Sequence, residues 1–178
     1  MVPHPQKSVI FLVSTILVLS PILCLILGWG GMWLFSPNPP KPEITYAEFP
    51  FEIVYEIHGE TVTVQDVYVC EYVGIGFDKG RGKHREWKDY IKSSGEEDLI
   101  LVEDGSLKLA CYVGFPEYYM SDPETYDYEY TPFIGYIIHP NEYGGTSYGG
   151  LDAEPSLNQY DLKLISWKLS EPIENSFN

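Results

Sequence analysis

Positive charge is scarce in this chain of 178 residues, which has 11 Lys and Arg residues against 26 Asp and Glu and a formal net charge of −15. Contact with nucleic-acid phosphates needs a basic surface, so this composition excludes nucleic acid as a main partner. Cysteine is scarce too, with three residues in the whole chain. Neither Cys70 nor Cys111 has a second Cys or a His nearby at zinc-ligand spacing, so we expect no metal site and no cofactor.

Recognisable catalytic motifs are absent as well. The glycine-rich segment Gly74–Lys83 resembles a phosphate loop, but its spacing is one residue too long and His84 follows it in place of Ser or Thr. We therefore interpret this segment as a flexible loop. No nucleophile elbow or zinc-binding helix accompanies the histidines. Paired carboxylates for glycoside hydrolysis are an open alternative, because acids are abundant and a sequence does not show their separation. The composition favours a protein without enzymatic activity.

What the chain does contain is one long apolar run, Val9–Phe35, which exceeds the roughly 20 residues that a transmembrane helix needs. Lys7 precedes the run and the acidic remainder follows it. This asymmetry places residues 1–8 in the cytoplasm and the C-terminal domain outside the cell, and predicts a single-pass signal-anchor in the cell membrane. Two alternatives stay open, namely a cleaved signal peptide and a lipoprotein modified at Cys24.

The rest of the chain divides into a proline-rich spacer, residues 36–43, and an extracytoplasmic domain, residues 44–178. Alternating apolar patterns predict about six strands, at 51–58, 61–72, 99–102, 107–113, 133–139 and 160–169. Turn residues predict hairpins at His58-Gly59 and at Asp104-Gly105. A single helix is predicted over Lys83–Ser93, with Trp87, Tyr90 and Ile91 on one face. We expect a mainly β domain, an antiparallel sandwich or a partly open barrel with one short helix.

Cys70 and Cys111 are the two cysteines of the predicted outer domain, and each lies within a predicted strand. An extracytoplasmic location permits a disulfide between them. The alternative is a pair of unpaired buried thiols, which behave as small apolar side chains. The sequence leaves the choice open.

Six of the domain's cations fall within one short segment, which suggests a binding surface. We take as candidates its first four, Lys79, Arg81, Lys83 and Arg85. A local positive field on an acidic domain suits anionic lipid headgroups, an anionic envelope polymer or an acidic protein partner. The alternative is a solvated face that the domain's own acids neutralise.

A second candidate surface is the segment 117–130, which alternates tyrosines with acids. The tyrosines taken as candidates are Tyr118, Tyr119, Tyr126 and Tyr128. Exposed tyrosines suit recognition of sugar rings or peptides, because they combine an apolar ring with a hydrogen-bonding tip. The acids lack the spacing of a calcium-binding EF-hand. The alternative is an ordinary polar loop.

Four stretches of the outer domain carry a resemblance: YAEFPFEIVYEIHGETVTVQDVYVCEY, GKHREWKDYIKSSGEED, EYYMSDPE and LISWKLSEPIENSF. They resemble a group of uncharacterised single-pass membrane-anchored proteins of Gram-positive bacteria. The resemblance implies an extracytoplasmic location and transfers no catalytic residue. We therefore expect a membrane-anchored domain that binds a ligand at the cell envelope. The alternatives are an accessory subunit of a membrane complex, which would pack through its anchor, and a hydrolase of cell-wall polymer.

Overall fold

The computed structural model describes residues 36–78, 80–124, 130–150 and 160–178. The predicted anchor Val9–Phe35 lies outside these residues, and so do Lys79, Tyr126 and Tyr128. In the part of the chain that is described, no helix is both long and apolar enough to cross a membrane.

Eight strands and one short helix make up the described fold. The strands are β1 (Tyr46–Ile57), β2 (Glu60–Asp78), β3 (Gly82–Ile91), β4 (Leu99–Asp104), β5 (Leu107–Tyr112), β6 (Phe133–Ile138), β7 (Ser147–Gly150) and β8 (Leu162–Lys168), and the helix is α1 (Pro116–Tyr119). All pairings with a defined register are antiparallel. The prediction of a mainly β antiparallel domain with one short helix is confirmed.

The first sheet has the strand order β3-β2-β1-β8 and is built around a long hairpin. Strands β1 and β2 pair from Tyr46 with Glu71 to Ile57 with Glu60, which leaves a two-residue loop. His58 and Gly59 form this loop with φ angles of 51° and 78°. Two successive positive φ angles are the mark of a type I′ turn, whose twist matches that of the strands. The predicted first hairpin is confirmed.

The second sheet has the order β4-β5-β6-β7. Its first hairpin pairs Asp104 with Leu107, so the two loop residues are Gly105 and Ser106. Gly105 adopts a φ of 60°, which a residue without a Cβ adopts without strain. The predicted hairpin is therefore present, but its turn is centred one residue later than Asp104-Gly105.

The helix predicted over Lys83–Ser93 is wrong, because residues 82–91 form strand β3. Burial along β3 alternates: Arg85 and Ile91 are buried, Glu86 and Lys88 are exposed, and Asp89 is half-buried. Two of the residues on the more buried side are charged, so the strand lacks the apolar alternation that predicts one. The segment Gly74–Lys83 is likewise not a long loop, since β2 extends to Asp78 and β3 begins at Gly82.

One apolar core receives side chains from both sheets. Phe49, Ile53 and Tyr68 come from the first sheet, and Leu109 and Cys111 come from the second. All five are less than 4% exposed. The two sheets therefore bury their inner faces against the same core, which leaves each an outer face.

Two compact units are distinguished among these residues. The smaller contains residues 36–39 and Ile75–Arg85, and the larger contains Pro40–Gly74 and Glu86–Asn178. Within the larger unit, the chain terminus pairs with the segment that precedes β1. Lys41 N donates to Asn178 O at 2.9 Å, and Asn178 N donates to Lys41 O at 3.0 Å. Part of the segment predicted as a spacer, from Lys41 onward, is thus hydrogen-bonded to the domain.

Cys70 and Cys111 are free thiols in the structure, and both are fully buried. Cys70 belongs to β2 of the first sheet and Cys111 to β5 of the second. Burial raises the pKa of both thiols, that of Cys111 to about 12. Both thiols pack as small apolar groups of the core, and a disulfide between them stays a prediction.

Candidate functional site

Of the four candidate residues of the basic segment, the structure describes Arg81, Lys83 and Arg85, and these three differ in their surroundings. Arg81 lies at a tight turn, where its Nε donates to Asp78 Oδ2 at 2.9 Å. Lys83 Nζ donates to Asn38 Oδ1 at 2.8 Å. Arg85 is 4% exposed, so its guanidinium is not part of a solvated face. Lys88 occupies the opposite side of β3, because successive residues of a strand point to opposite faces.

The described tyrosines of the second candidate surface serve the core. Pro116 starts α1, where its missing N–H costs nothing. Tyr119 follows with 1% exposure, and its ring centroid lies 4.6 Å from that of Phe49. Its hydroxyl donates to Val113 O at 3.0 Å. Tyr118 is half-buried beside it. The helix is therefore a packed corner of the domain, and Tyr119 has no free surface for a ligand.

A different surface stands out on the outer face of the second sheet. The strand register places a row of small side chains across it: Ala110, Gly135 and Gly150 are successive partners on β5, β6 and β7. On one side of this row lies the pair Tyr112 and Phe133, whose rings stack with centroids 4.7 Å apart. The last residue of the row, Gly150, lines a depression together with these two rings.

The aromatic groove, as we name this depression, is lined by Tyr112, Phe133, Tyr148, Gly149 and Gly150 and has a volume of about 370 Å³. Phe133 is 49% exposed and Tyr148 is 66% exposed. Solvated aromatic rings grouped around one depression are more informative than scattered apolar residues, which any surface carries.

Close packing at the groove leaves no room for a side chain at Gly135 or Gly149. A Cβ on Gly135 would lie 2.7 Å from both Gly149 O and Tyr112 Cε2. A Cβ on Gly149 would lie 2.6 Å from Cε1 of Tyr136, its cross-strand partner. The Tyr112 ring thus covers Gly135 on one face of the sheet, and the Tyr136 ring covers Gly149 on the other. Aromatic side chains compensate in this way for the missing side chains of strand glycines.

Next to the groove is a larger concavity, the acidic cleft, with a volume of about 650 Å³. Its ionisable lining residues are Glu96, Glu97, Asp98, Glu103, Lys108 and His139. Tyr148 lines both the cleft and the groove, so the two concavities share a wall. Lys108 Nζ lies 3.7 Å from Glu103 Oε1. Four carboxyl groups therefore face this cleft together with a single lysine.

Two pKa values distinguish this surface. Burial, together with the nearby carboxylates of Asp89, Glu97 and Glu96, raises the pKa of Asp98 to about 6. Asp98 therefore exchanges its proton close to neutral pH. Burial, followed by the charges of Asp98 and Tyr148, raises the pKa of Tyr112 to about 12. The Tyr112 hydroxyl is thus a neutral donor at physiological pH.

The connection between β6 and β7 holds Tyr148 in place. The Asn141 side chain accepts hydrogen bonds from the backbone N–H groups of Tyr143 at 3.0 Å and Gly145 at 2.9 Å. Its Nδ2 donates to Ser147 Oγ at 2.8 Å. Such local bonds from asparagine to backbone are typical of a defined turn. The glycine-rich stretch 141–150 begins with this turn and ends in strand β7.

Sequence reasoning missed the groove because its residues come from three strands far apart in the chain. The available signal was the clustering of Gly and Tyr in residues 141–150, which is typical of both loops and strands under aromatic rings.

Among the described residues, no group of three or more His, Cys, Asp or Glu side chains is arranged to hold a metal ion. No protein-family model, no curated protein and no solved structure matches the chain.

Proposed function

We propose that this protein is a membrane-anchored extracytoplasmic binding protein whose β domain, an antiparallel sandwich, contacts its ligand at the cell envelope. Val9–Phe35 is the anchor in this proposal, and the N-terminus is cytoplasmic. The ligand-binding surface is the aromatic groove with the adjoining acidic cleft. The groove carries the proposal, because it exposes Phe133 and Tyr148 beside a depression.

Physical reasons favour a binding role for this face. Contact between an aromatic ring and water is unfavourable, and burying the ring against a partner removes this cost. The rings belong to paired strands, which hold them rigidly. Little conformational entropy is therefore lost when a ligand binds to them. Concave apolar surfaces with a few polar groups at the edge are the usual form of ligand sites.

A photo-crosslinking residue in the full chain, in intact cells, tests this proposal. Placed at Tyr148, in the groove, it should yield a specific adduct. Placed at Tyr143, which is 88% exposed on the neighbouring loop, it should not. A second change, Phe133→Ser, should abolish the adduct at position 148. Equal adducts at both positions, or an adduct indifferent to Phe133→Ser, would contradict the proposal.

Replacement of the anchor separates this proposal from that of an accessory subunit. If Val9–Phe35 is exchanged for an unrelated membrane span, a binding domain should keep its adduct at Tyr148. A subunit that packs through its anchor should lose its complex instead. Protease added to wall-stripped cells checks the orientation, because it should digest the outer domain and leave a membrane-bound stub.

Asp98 favours a second candidate function, hydrolysis of a cell-wall polymer. Glycosidases pair a carboxylic acid of raised pKa with a second carboxylate across a cleft. Asp98 has such a pKa, and Glu103 lines the same cleft. Purified full-length protein should then release soluble fragments from wall polymer with a pH profile that Asp98→Asn removes. The absence of release at pH 5 to 7 excludes this candidate.

A further inference from the structure

We infer that the aromatic groove and the acidic cleft together bind an extended, positively charged polypeptide segment. This inference rests on the proposed function, because it names the class of ligand for the same surface. It departs from the expectation of an anionic ligand, which was based on the cluster of cations in the sequence, of which Arg85 is buried.

Charge complementarity decides the class of ligand. The cleft presents Glu96, Glu97, Asp98 and Glu103, against which stands Lys108. Glu96, Glu97 and Glu103 are exposed, so their charges act on an approaching molecule. The whole chain, with these residues included, has a net charge of −15. Such a field attracts cations and repels phosphate-rich polymers and anionic lipid headgroups.

The groove supplies contacts that suit lysine and arginine side chains in particular. Their long aliphatic stems pack on apolar surface while the charged end stays near solvent or carboxylates. Cations also bind to the faces of aromatic rings. A side chain lying across Gly150 would touch Phe133 or Tyr148 along its stem, and the shared wall at Tyr148 lets the same segment continue into the cleft.

A neutral glycan is the main competitor, since sugar rings also stack on aromatic side chains. It would use the groove, but it would gain nothing from the excess of carboxylates over cations in the cleft. Salt therefore discriminates the two ligands: binding of a cationic peptide weakens as ionic strength rises, and binding of a neutral sugar does not.

The experiment uses the full chain in a non-ionic detergent and three eight-residue peptides with blocked ends. In these peptides Ala alternates with Lys, with Gln or with Glu. Fluorescence anisotropy measures binding between 50 and 500 mM salt. We expect the Lys peptide to bind at least about tenfold more tightly than the Gln peptide at low salt, and this advantage to disappear at high salt. The Glu peptide should not bind.

Matched variants locate the site. The double change Glu97→Gln and Glu103→Gln should weaken binding of the Lys peptide about tenfold, and Phe133→Ser should weaken it severalfold. The control is Glu56→Gln with Glu60→Gln, which removes the same charge from the β1–β2 hairpin of the first sheet. It should have little effect. Equal losses in both pairs would mean that net charge alone attracts the peptide, and would overturn the inference.

Two further outcomes are distinguishable. If a neutral oligosaccharide binds in a manner sensitive to Phe133→Ser while the Lys peptide does not bind, the peptide inference is wrong and the groove is still the binding surface. If no probe binds more tightly than the Glu peptide, the inference is also wrong. The crosslink at Tyr148 then decides separately whether the proposed function stands.

Discussion

The two sheets share one core but differ in what their outer faces carry. On the first sheet, exposed apolar side chains are spread over several strands, among them Tyr46 on β1, Val73 on β2 and Trp167 on β8, and they alternate with polar pairs such as Gln65 and Glu52. On the second sheet, the equivalent face carries the stacked rings of Tyr112 and Phe133 and the exposed ring of Tyr148. Burying the inner faces stabilises the fold in both cases. Exposed rings that are grouped around one depression add little to folding, so their grouping calls for a functional explanation.

The two sheets also differ in how their acidic side chains are paired with cations. Near the first sheet, acids lie beside cations, as Glu48 does beside Lys92 at 2.7 Å. Along the cleft of the second sheet, Glu103 lies near Lys108, but Glu96 and Glu97 lie near Asp98 and contribute to the raised pKa of Asp98. An ion pair cancels its own charge locally, whereas acids without a nearby cation leave a negative electrostatic field that acts on other molecules.

The largest expected effect on the free energy of unfolding comes from a substitution at Gly135, in the packing beneath the groove. Gly135→Ala should lower the free energy of unfolding by about 2–3 kcal/mol, because a Cβ there overlaps Gly149 O and the Tyr112 ring. Gly150→Ala is the matched control, since Gly150 is the cross-strand partner of Gly135 and has open space at its Cβ position. Denaturant unfolding of both variants gives the difference. Similar losses would show that the Tyr112 ring does not lie over Gly135.

The inner face of the first sheet offers the next largest effect. The Tyr68 hydroxyl donates to Asp89 Oδ2 at 2.5 Å, and the Tyr68 side chain is 1% exposed. Tyr68→Phe should cost about 1–2 kcal/mol at pH 8, because the partly buried carboxylate loses its donor. Burial raises the pKa of Asp89, so the cost should shrink as the pH falls and the carboxyl is protonated.

Tyr46→Phe is the control for this change. Its hydroxyl donates to Glu48 Oε1 at the same distance of 2.5 Å, but Tyr46 is 47% exposed. Solvent can replace an exposed hydrogen bond, so unfolding should not change measurably. A pH-independent loss in Tyr68→Phe would refute the role of Asp89.

Two aspartates of opposite environment give a smaller effect. The folded-state pKa of Asp98, about 6, exceeds the unfolded value of about 3.9, so its contribution to stability is lost as the pH rises from about 4 to 6. Asp98→Asn should therefore stabilise the protein by roughly 1 kcal/mol at pH 7.5 and should not stabilise it at pH 4. The gain at pH 7.5 is small because solvent screens the charge of this half-buried carboxylate. Thermal unfolding at the two pH values measures this.

Asp78 on β2 should show the opposite sign. The backbone N–H and the guanidinium of Arg81 lower the pKa of Asp78 to about 2. Its contribution is present above the unfolded pKa and is lost as the pH falls toward 2. Asp78→Asn should destabilise the protein at neutral pH, whereas Asp98→Asn stabilises it. The same sign for both variants would remove the electrostatic contrast between the sheets.

The smallest expected effect concerns the groove rings themselves. Phe133 is 49% exposed and stacks on one ring, so Phe133→Ser should lower the free energy of unfolding by only about 0.5 kcal/mol. Thr63→Ala, on the outer face of the first sheet, should change it even less. A much larger loss in Phe133→Ser would make the ring a structural element, and would weaken the argument that it is kept for binding.

Local features of the fold were predictable from sequence. Alternation and the His58-Gly59 pair predicted the first hairpin, since strand period and turn chemistry depend on adjacent residues. Strand β3 was not predictable in this way, because Arg85 and Asp89 lie at inner positions where apolar residues are expected. Only a surrounding structure that buries or partners these charges makes them compatible with a strand.

The candidate site shows the same division between sequence and tertiary structure. By itself the sequence determined the acidic charge, the apolar run Val9–Phe35, the two hairpins and the mainly β class, because each depends on composition or on near neighbours. Strand register decided the rest. It placed Tyr112, Phe133 and Tyr148 around one depression and put Arg85 on the buried side of β3, because pairing joins residues across the chain and alternation sends adjacent residues to opposite faces.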